Sequence, residues 1–535
     1  MSMLDQRFLG GEAGHRGLLT GRGGKGKTLL LFAAVVAGIV LALLLSTTGL
    51  IMGAVLLVAV FVATLPSQAG SPLERAKDNA RWRQTTRSGI DRFVPVSRRP
   101  REVTEAFEAP RRPSRAARLE YNAYRDWPEG AQSMVWLHAR PGTPGIAWHA
   151  PTGEDAWLSV VFPLHGAVSG LESNTALNNR TRAFGAVLAE LGSEWSLAKR
   201  IQIITRVQPI DTAAHEAWAA REVDPAAPPE LLGSYREVLE RLGTGTLRQK
   251  HFAVVRWPVT PRFKATASAL GPEQQGWLWL MRDEIDRIFR ELDHAGLGPG
   301  PALSAAQVGA VLRHQQNPSW PIDHAGDVNP FELWMPSRET RGAVAVHAPG
   351  PDGTPQTWLH RTAVVPIESV TTSARDALWM MPMLSWMRKD VVRTISVQLE
   401  GIPKRLALKK AQDDFTSDLA DEYARAAKGQ LVDGALSVAA SASKARIDDL
   451  EPGQQAQGLG WAMHVTVSAR TPEELREACG HMREAADKAA IGLQWLDTQQ
   501  AAAQACTWPL ARGMRAGQHT TSLDRISGNA KRGQA

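Results

Sequence analysis

The pattern with the clearest chemical meaning is GRGGKGKT, residues 21–28, which fits the GxxxxGK[ST] spacing of a phosphate loop. In a working loop of that kind, backbone N–H groups cradle the phosphates, the lysine reaches their outer oxygens and the final hydroxyl meets magnesium. Gly21, Gly26, Lys27 and Thr28 hold the required positions. The chemistry also needs a buried strand leading in, a soluble helix leading out and an acidic partner motif on another strand. Upstream, GGEAGHRGLL is too rich in glycine and charge for a buried strand. Downstream lies a run of apolar residues with no charge. The nearest acidic candidate, WLWLMRDE at 277–284, continues into IDRIFREL and reads as a helix with Asp283 and Glu284 on its solvated side. The match is read as a coincidence, with no bound cofactor expected.

Other catalytic patterns are missing. The sequence has no GxSxG nucleophile elbow and no HExxH metal helix; His215-Glu216-Ala217-Trp218 lacks the second histidine. Isolated histidines such as His149 and His464 read as hydrogen-bonded core or surface residues. Cys479 and Cys506 are the two cysteines, far apart and without metal-ligand spacing, so free thiols are expected. Catalytic residues, metal ligands and cofactors are all expected to be none, and the chain is expected not to be an enzyme.

The absence of charge just beyond Thr28 matters more than the motif that ends there. No ionised side chain occurs between Lys27 and Glu74. Two apolar runs, Leu29–Leu45 and Leu50–Leu65, flank Ser46, Thr47, Thr48 and Gly49, and Pro66 closes the second. Each run is 16 to 17 residues, close to the ~17 needed to cross about 30 Å of hydrocarbon at about 1.5 Å per residue. The small polar cluster is expected to form the turn of a two-helix transmembrane hairpin, with Gly49 supplying the turn's conformational freedom. Arg22, Lys25 and Lys27 before the hairpin, and Arg75 and Lys77 after it, are expected to anchor it among lipid headgroups. Basic flanks stay cytoplasmic. The expectation is a multi-pass protein of the plasma membrane with both termini in the cytoplasm.

Charge follows the membrane. Residues 1–28 carry +3 and residues 66–125 carry +7, which leaves −3 on the remainder of a chain whose net charge is +7. A DNA-tracking groove on the main body has no support in this distribution. All eighteen tryptophans follow residue 81 and are expected mainly in packed cores.

The soluble part is expected to be α/β, an α+β sandwich. The expected organisation is a basic N-terminus (1–28), the hairpin (29–65, as 29–45 and 50–65) and a basic Pro-rich linker (66–125). A first α/β domain (126–315), a β-rich insertion (316–385), a second α/β domain (386–515) and a polar tail (516–535) follow. Strands are predicted at 156–164, 200–210, 251–257, 391–401 and 461–469, and helices at 228–243 and 273–297. A helical pair is expected between 404 and 447, broken near Gly429. Ser304 with Gln307, and Thr471-Pro472 with Glu474, are capping boxes that mark two helix starts. The repeated strand–helix order over 156–297 and 391–510 suggests an internal duplication.

The run from His464 to Met514, HVTVSARTPEELREACGHMREAADKAAIGLQWLDTQQAAAQACTWPLARGM, resembles the end of the N-terminal, non-ATPase domain of the conjugation and type IV secretion ATPases. SEWSLAKRIQIITRVQPID (193–211) resembles that domain's opening sheet, and the hairpin resembles the PrgI-like membrane proteins encoded beside those motors. The resemblance implies an anchoring and docking half, with no motor domain between His519 and Ala535 and no positions to receive the family's nucleotide-binding residues. The function so implied is a membrane-anchored structural component of a conjugative or type IV-like secretion apparatus. Its implied partners are membrane lipids, a separately encoded ATPase, other channel subunits and further copies of itself. The alternatives are a membrane-tethered guide for single-stranded nucleic acid and a membrane-tethered hydrolase.

Overall fold

A computed structural model describes residues 7–9, 24–64, 71–108, 112–166, 172–209, 222, 224, 227–243, 247–385, 387, 391–427, 434–451 and 456–514. Fifteen strands are named in chain order. They are β1 (Arg7–Leu9), β2 (Arg92–Pro95), β3 (Tyr124–Arg125), β4 (Met134–His138), β5 (Ile146–His149), β6 (Trp157–Leu164), β7 (Arg200–Pro209) and β8 (Leu247–Pro258). The second half of the chain adds β9 (Ser337–Glu339), β10 (Val344–Pro349), β11 (Pro355–Val364), β12 (Ser373–Arg375), β13 (Val392–Ile402), β14 (Gly458–Ala469) and β15 (Gln494–Trp495).

Thirteen of these form one sheet in the order β3-β2-β9-β10-β11-β14-β13-β7-β8-β6-β5-β4, with β15 also on β11. Every pairing is antiparallel except β2 with β3. The fold is mixed α/β, as expected. At its centre β7 and β13 run antiparallel, with Ile203 opposite Val397 and Ile204 opposite Ser396. On either side of that seam the topology repeats. Outward from it lie β7-β8-β6-β5-β4 on one side and β13-β14-β11-β10-β9 on the other. Helices fall at matching places: Pro229–Gly243 between β7 and β8, Lys404–Ala427 with Gly434–Asp449 between β13 and β14, then Glu273–His294 and Pro472–Lys488 after them. The two halves are thus related by an approximate two-fold through the seam.

Two expected boundaries look different in three dimensions. Segment 316–385 is β-rich, but its strands β9, β10 and β11 are the second half's counterparts of β4, β5 and β6. Segment 66–125, expected as a linker, is folded where it is described: helices Pro72–Ser88, Arg101–Glu108 and Arg115–Ala123, with β2 and β3 closing one edge of the sheet. Pro72 opens the first of these helices and Pro95 ends β2, and Ser114 caps the third helix by accepting from Ala117 N.

One face of the sheet is apolar because successive residues of a strand alternate sides. Leu158, Val160, Phe162, Ile201, Ala253, Val255 and Trp257 meet Leu280, Met281, Ile285, Ile288 and Leu292 of helix Glu273–His294. In the other half, Ile395, Met463, Val465 and Val467 meet Leu475, Ala478, Cys479 and Met482 of helix Pro472–Lys488. Burying one such side chain contributes about 1.5–3 kcal/mol, against about 0–1 kcal/mol for an exposed ion pair such as Arg476–Glu473. These two clusters therefore dominate the body's stability.

Candidate functional site

The apolar segment is the helix Gly24–Thr64, of which Leu30–Thr64 is long and apolar enough to cross a membrane. Its mean hydropathy is 2.7 and only 6 % of the most apolar window is buried. Among the described residues it is the one helix that meets this test. Leu43, Leu44, Ile51, Val55 and Val58 are all exposed, which in water would leave a large apolar patch. Ser46 breaks the helical geometry at φ 52° and ψ −129°. A Cβ added to Gly53 would come within 2.8 Å of the Gly38 Cα, and Gly49 lies directly against the Leu41 carbonyl. In an unbroken helix, residues as far apart as Gly38 and Gly53 would be separated by about 22 Å. Small residues let the two backbones approach this closely. Thr64 is buried, and its hydroxyl donates to the carbonyls of Val60 (2.9 Å) and Phe61 (3.0 Å), which hides its polarity within the helix.

The expected turn residues fall at this break: Ser46, Thr47 and Thr48 are exposed and Gly49 is buried. Arg75 and Lys77 are exposed on the first turns of helix Pro72–Ser88, which packs against the apolar helix. Gly21 and Arg22 lie outside the described residues. The backbone of Lys25, Gly26, Lys27 and Thr28 is already helical and continues into the apolar segment.

Residues on both sides of the segment meet on the body. β1, before it, pairs antiparallel with β12, after it: Arg7 faces Arg375, Phe8 faces Ala374 and Leu9 faces Ser373. Arg375 in turn donates to the carbonyls of Ala489 (2.6 Å) and Ala490 (2.9 Å) at the end of helix Pro472–Lys488. Arg341 reaches Asn79 of helix Pro72–Ser88 at 2.5 Å. Both flanks are thereby tied to the same body.

The second face of the sheet is where polar side chains concentrate. Arg200, Gln202 and Arg206 of β7, Thr394, Ser396 and Gln398 of β13, His464, Thr466 and Ser468 of β14, and His360 and Thr362 of β11 are all buried. They are covered by helix Ala305–Gln316 and by residues 499–514, a strap that contains the short helix Gln500–Ala505 and then runs without regular structure to Met514. A buried irregular backbone must find its hydrogen bonds elsewhere. Here the sheet supplies them. Gln202 Nε2 donates to the carbonyls of Cys506 (3.2 Å) and Trp508 (2.9 Å), while its Oε1 accepts from Ala511 N (2.8 Å). Gln398 donates to the Arg512 carbonyl at 2.7 Å, and Arg200 to the Met514 carbonyl at 2.6 Å. Arg512 points back into the first half, donating to the carbonyls of Gly130 and Gln132 and to His149 Nδ1. Trp157 lies among Arg256, Arg512 and His149, its ring 3.8 Å from the Arg256 guanidinium carbon.

Burial sets the titration of this layer. His314 and His360 are pushed down to about 3, and His464 to about 4, by desolvation of the imidazolium; Arg206 adds to the effect at His314 and His360. Burial raises Cys479 to about 11 and Cys506 to about 12, so neither thiol is an activated nucleophile. Both cysteines are free. Glu284, expected on a solvated side, instead accepts from the Trp257 indole at 2.8 Å and from Arg287, while Asp283 is exposed. Among the described residues no group of histidine, cysteine and carboxylate side chains is placed to hold a metal.

No protein-family model and no curated protein matches the chain. What it does has to be argued from its own geometry. The polar face was not anticipated from sequence. The alternating Arg-Ile-Gln-Ile-Ile-Thr-Arg-Val-Gln of β7 looks, taken locally, like a half-solvated strand.

Proposed function

We propose that this chain is a membrane-anchored structural component of a conjugative or type IV-like secretion apparatus. In this reading the apolar segment is a transmembrane hairpin that turns at Ser46–Gly49, and the α/β body lies on the cytoplasmic face, where it docks a separately encoded ATPase. The observation that carries the membrane part is the β1–β12 pairing. A chain that leaves the body, crosses a bilayer and returns to the same body must cross an even number of times. The break at Ser46 and the approach of Gly53 to Gly38 support two crossings. The basic flanks support a cytoplasmic location for both ends.

Support for the secretion part comes from the resemblance of 193–211 and 464–514 to the docking half of those ATPases, and from the strap. In the family a motor follows this element; here the strap is fixed on the body by Gln202, Gln398 and Arg200. The function of such a part is positioning: tethering a motor at the channel mouth raises its effective concentration there.

Two measurements test the reading. Ser46→Cys should react with a membrane-impermeant maleimide in intact cells, while Leu9→Cys should react only after lysis; labelling of both from outside would defeat the topology. The tagged chain, purified from solubilised membranes, should bring down an ATPase with intact nucleotide motifs. Recovery of the chain without such a motor, under conditions that preserve other membrane complexes, would defeat the docking role.

A further inference from the structure

We propose that the cavity between helices Pro72–Ser88 and Arg115–Ala123 binds the phosphate headgroup of an anionic phospholipid, a site that rests on the membrane-anchor reading and goes beyond it. The cavity has a volume of about 800 Å³ and opens to the surface. Arg83 and Arg87 line it from the first helix, Arg115 and Arg118 from the second, and among the described residues no carboxylate lines it. Residues three or four apart share a helix face, so each pair presents both of its guanidinium groups to the same space. Among the described residues, none of the four takes part in an ion pair with an acidic side chain. Four like charges around one hollow repel one another, and a bound anion removes that cost. Guanidinium forks match phosphate oxygens two at a time.

The walls are held in place independently of any ligand. Asn122 Nδ2 donates to the Ser88 carbonyl at 2.8 Å. Gly89, at φ 77°, leaves room for the Leu119 carbonyl, which a Cβ there would approach to 2.6 Å. The two helices are thus locked at one end while the arginines remain exposed in the gap.

Position and lining select the ligand. Helix Pro72–Ser88 packs against the membrane-crossing helix and carries Arg75 and Lys77 on its first turns, and Arg83 and Arg87 follow further along the same helix. Basic pockets beside membrane helices on the cytoplasmic side are suited to acidic headgroups. Ala80 and Leu119 give the cavity an apolar floor, fit for a glycerol backbone. Among the described residues no aromatic side chain lines it, so the described lining offers no stacking platform for single-stranded nucleic acid.

The test uses the full chain in neutral detergent, with bound lipid read by native mass spectrometry. Phosphatidylglycerol should be retained at least tenfold better than phosphatidylcholine. The double variant Arg83→Glu with Arg115→Glu should lose that preference, the corresponding double lysine variant should keep part of it, and Arg476→Gln on the far helix should leave it unchanged. Equal retention of the two lipids by the wild type, or undiminished preference in the double glutamate variant, overturns the proposal. So does displacement of the lipid by inorganic phosphate or by an oligothymidylate at the lipid's own concentration, which would assign the site to free phosphate or to nucleic acid. Alkaline extraction of membranes separates the two readings. If the wild type is released, the anchor reading fails and the lipid site falls with it; if it stays membrane-bound but shows no lipid preference, the cavity alone is disproved.

Discussion

Gln202 Nε2 donates to Ser396 Oγ at 2.9 Å across the β7–β13 seam, and both side chains also donate to one carbonyl, that of Cys506. The junction between the two halves of the sheet is therefore the point where the C-terminal strap is held. Gln202 and Ser396 sit on the seam itself, so the strap and the pseudo-symmetric pairing are stabilised by the same atoms.

Replacing Gln202 by leucine keeps the volume and removes both functions of the amide. The carbonyl of Trp508 and the N–H of Ala511 would lose their partner while still buried. An unsatisfied buried polar group costs about 1–3 kcal/mol, so Gln202→Leu should lose about 2–5 kcal/mol in denaturant titration. Protease cleavage within 506–514 should rise in parallel. A loss within about 0.5 kcal/mol of zero would mean that the strap is not held as described.

Arg206 behaves differently. It is fully buried, donates to His314 and Thr394, and is lowered to about 9 by desolvation, with its second terminal nitrogen unpartnered among the described residues. A buried cation without a carboxylate is costly, and apolar replacements of buried charges are often neutral or stabilising. Arg206→Met should fall within about 1 kcal/mol of wild type or exceed it. A loss of 3 kcal/mol or more would assign Arg206 a stabilising partner.

The body should be acid-labile. Unfolded histidine titrates near 6.5, while His314 and His360 stay neutral down to about 3 and His464 down to about 4. Their contribution is therefore whole above pH 6.5 and is lost as the pH falls through 6.5 towards about 4 for His464 and about 3 for His314 and His360. By pH 5 each should have cost about 2 kcal/mol, about 6 kcal/mol for the three. Glu339 opposes them. Burial first, and then Glu129, raises it from 4.5 to about 7, although its carboxylate accepts from Gln500 N. Its contribution is present below 4.5 and lost as the pH rises through 7, so acidification to pH 5 returns about 3 kcal/mol. Wild type should be a few kcal/mol less stable at pH 5 than at pH 7.5, and Glu339→Gln should widen that gap. A flat profile, or one narrowed by Glu339→Gln, would contradict the burial of these groups.

In the apolar segment, Gly53→Val should be more damaging than Ala54→Val. A side chain at Gly53 meets backbone rather than lipid, whereas Ala54 is exposed. Oxidative cross-linking between Gly38→Cys and Leu57→Cys should be efficient in membranes and should fall several-fold when Gly53→Val is added. Unchanged cross-linking would mean that the close approach at Gly38 is not needed.

What sequence could reveal was whatever depends on neighbours in the chain. The apolar segment and the capped starts at Ser304 and Thr471 are local signatures, and they appear where local chemistry puts them. The helical pair after β13 is likewise present as Lys404–Ala427 and Gly434–Asp449, with Gly429 itself outside the described residues. Sequence could not reveal partners hundreds of residues away. Segment 66–125 looked like a linker because β2 pairs with β9, far along the chain. The buried Arg200, Gln202 and Arg206 looked half-solvated because the strap that covers them comes about three hundred positions later. The arginine-lined cavity likewise required two separate helices to be brought together.

Strap geometry has a mechanical consequence. Its carbonyls at Cys506, Trp508, Arg512 and Met514 are gripped from both central strands. A pull applied beyond Met514 first loads the Arg200 clasp, which is itself braced by Glu400 at 3.1 Å. Tension transmitted through that clasp enters at the midline of the sheet and divides between its two halves, so a load arriving from the tail would be borne by the whole platform rather than by one edge.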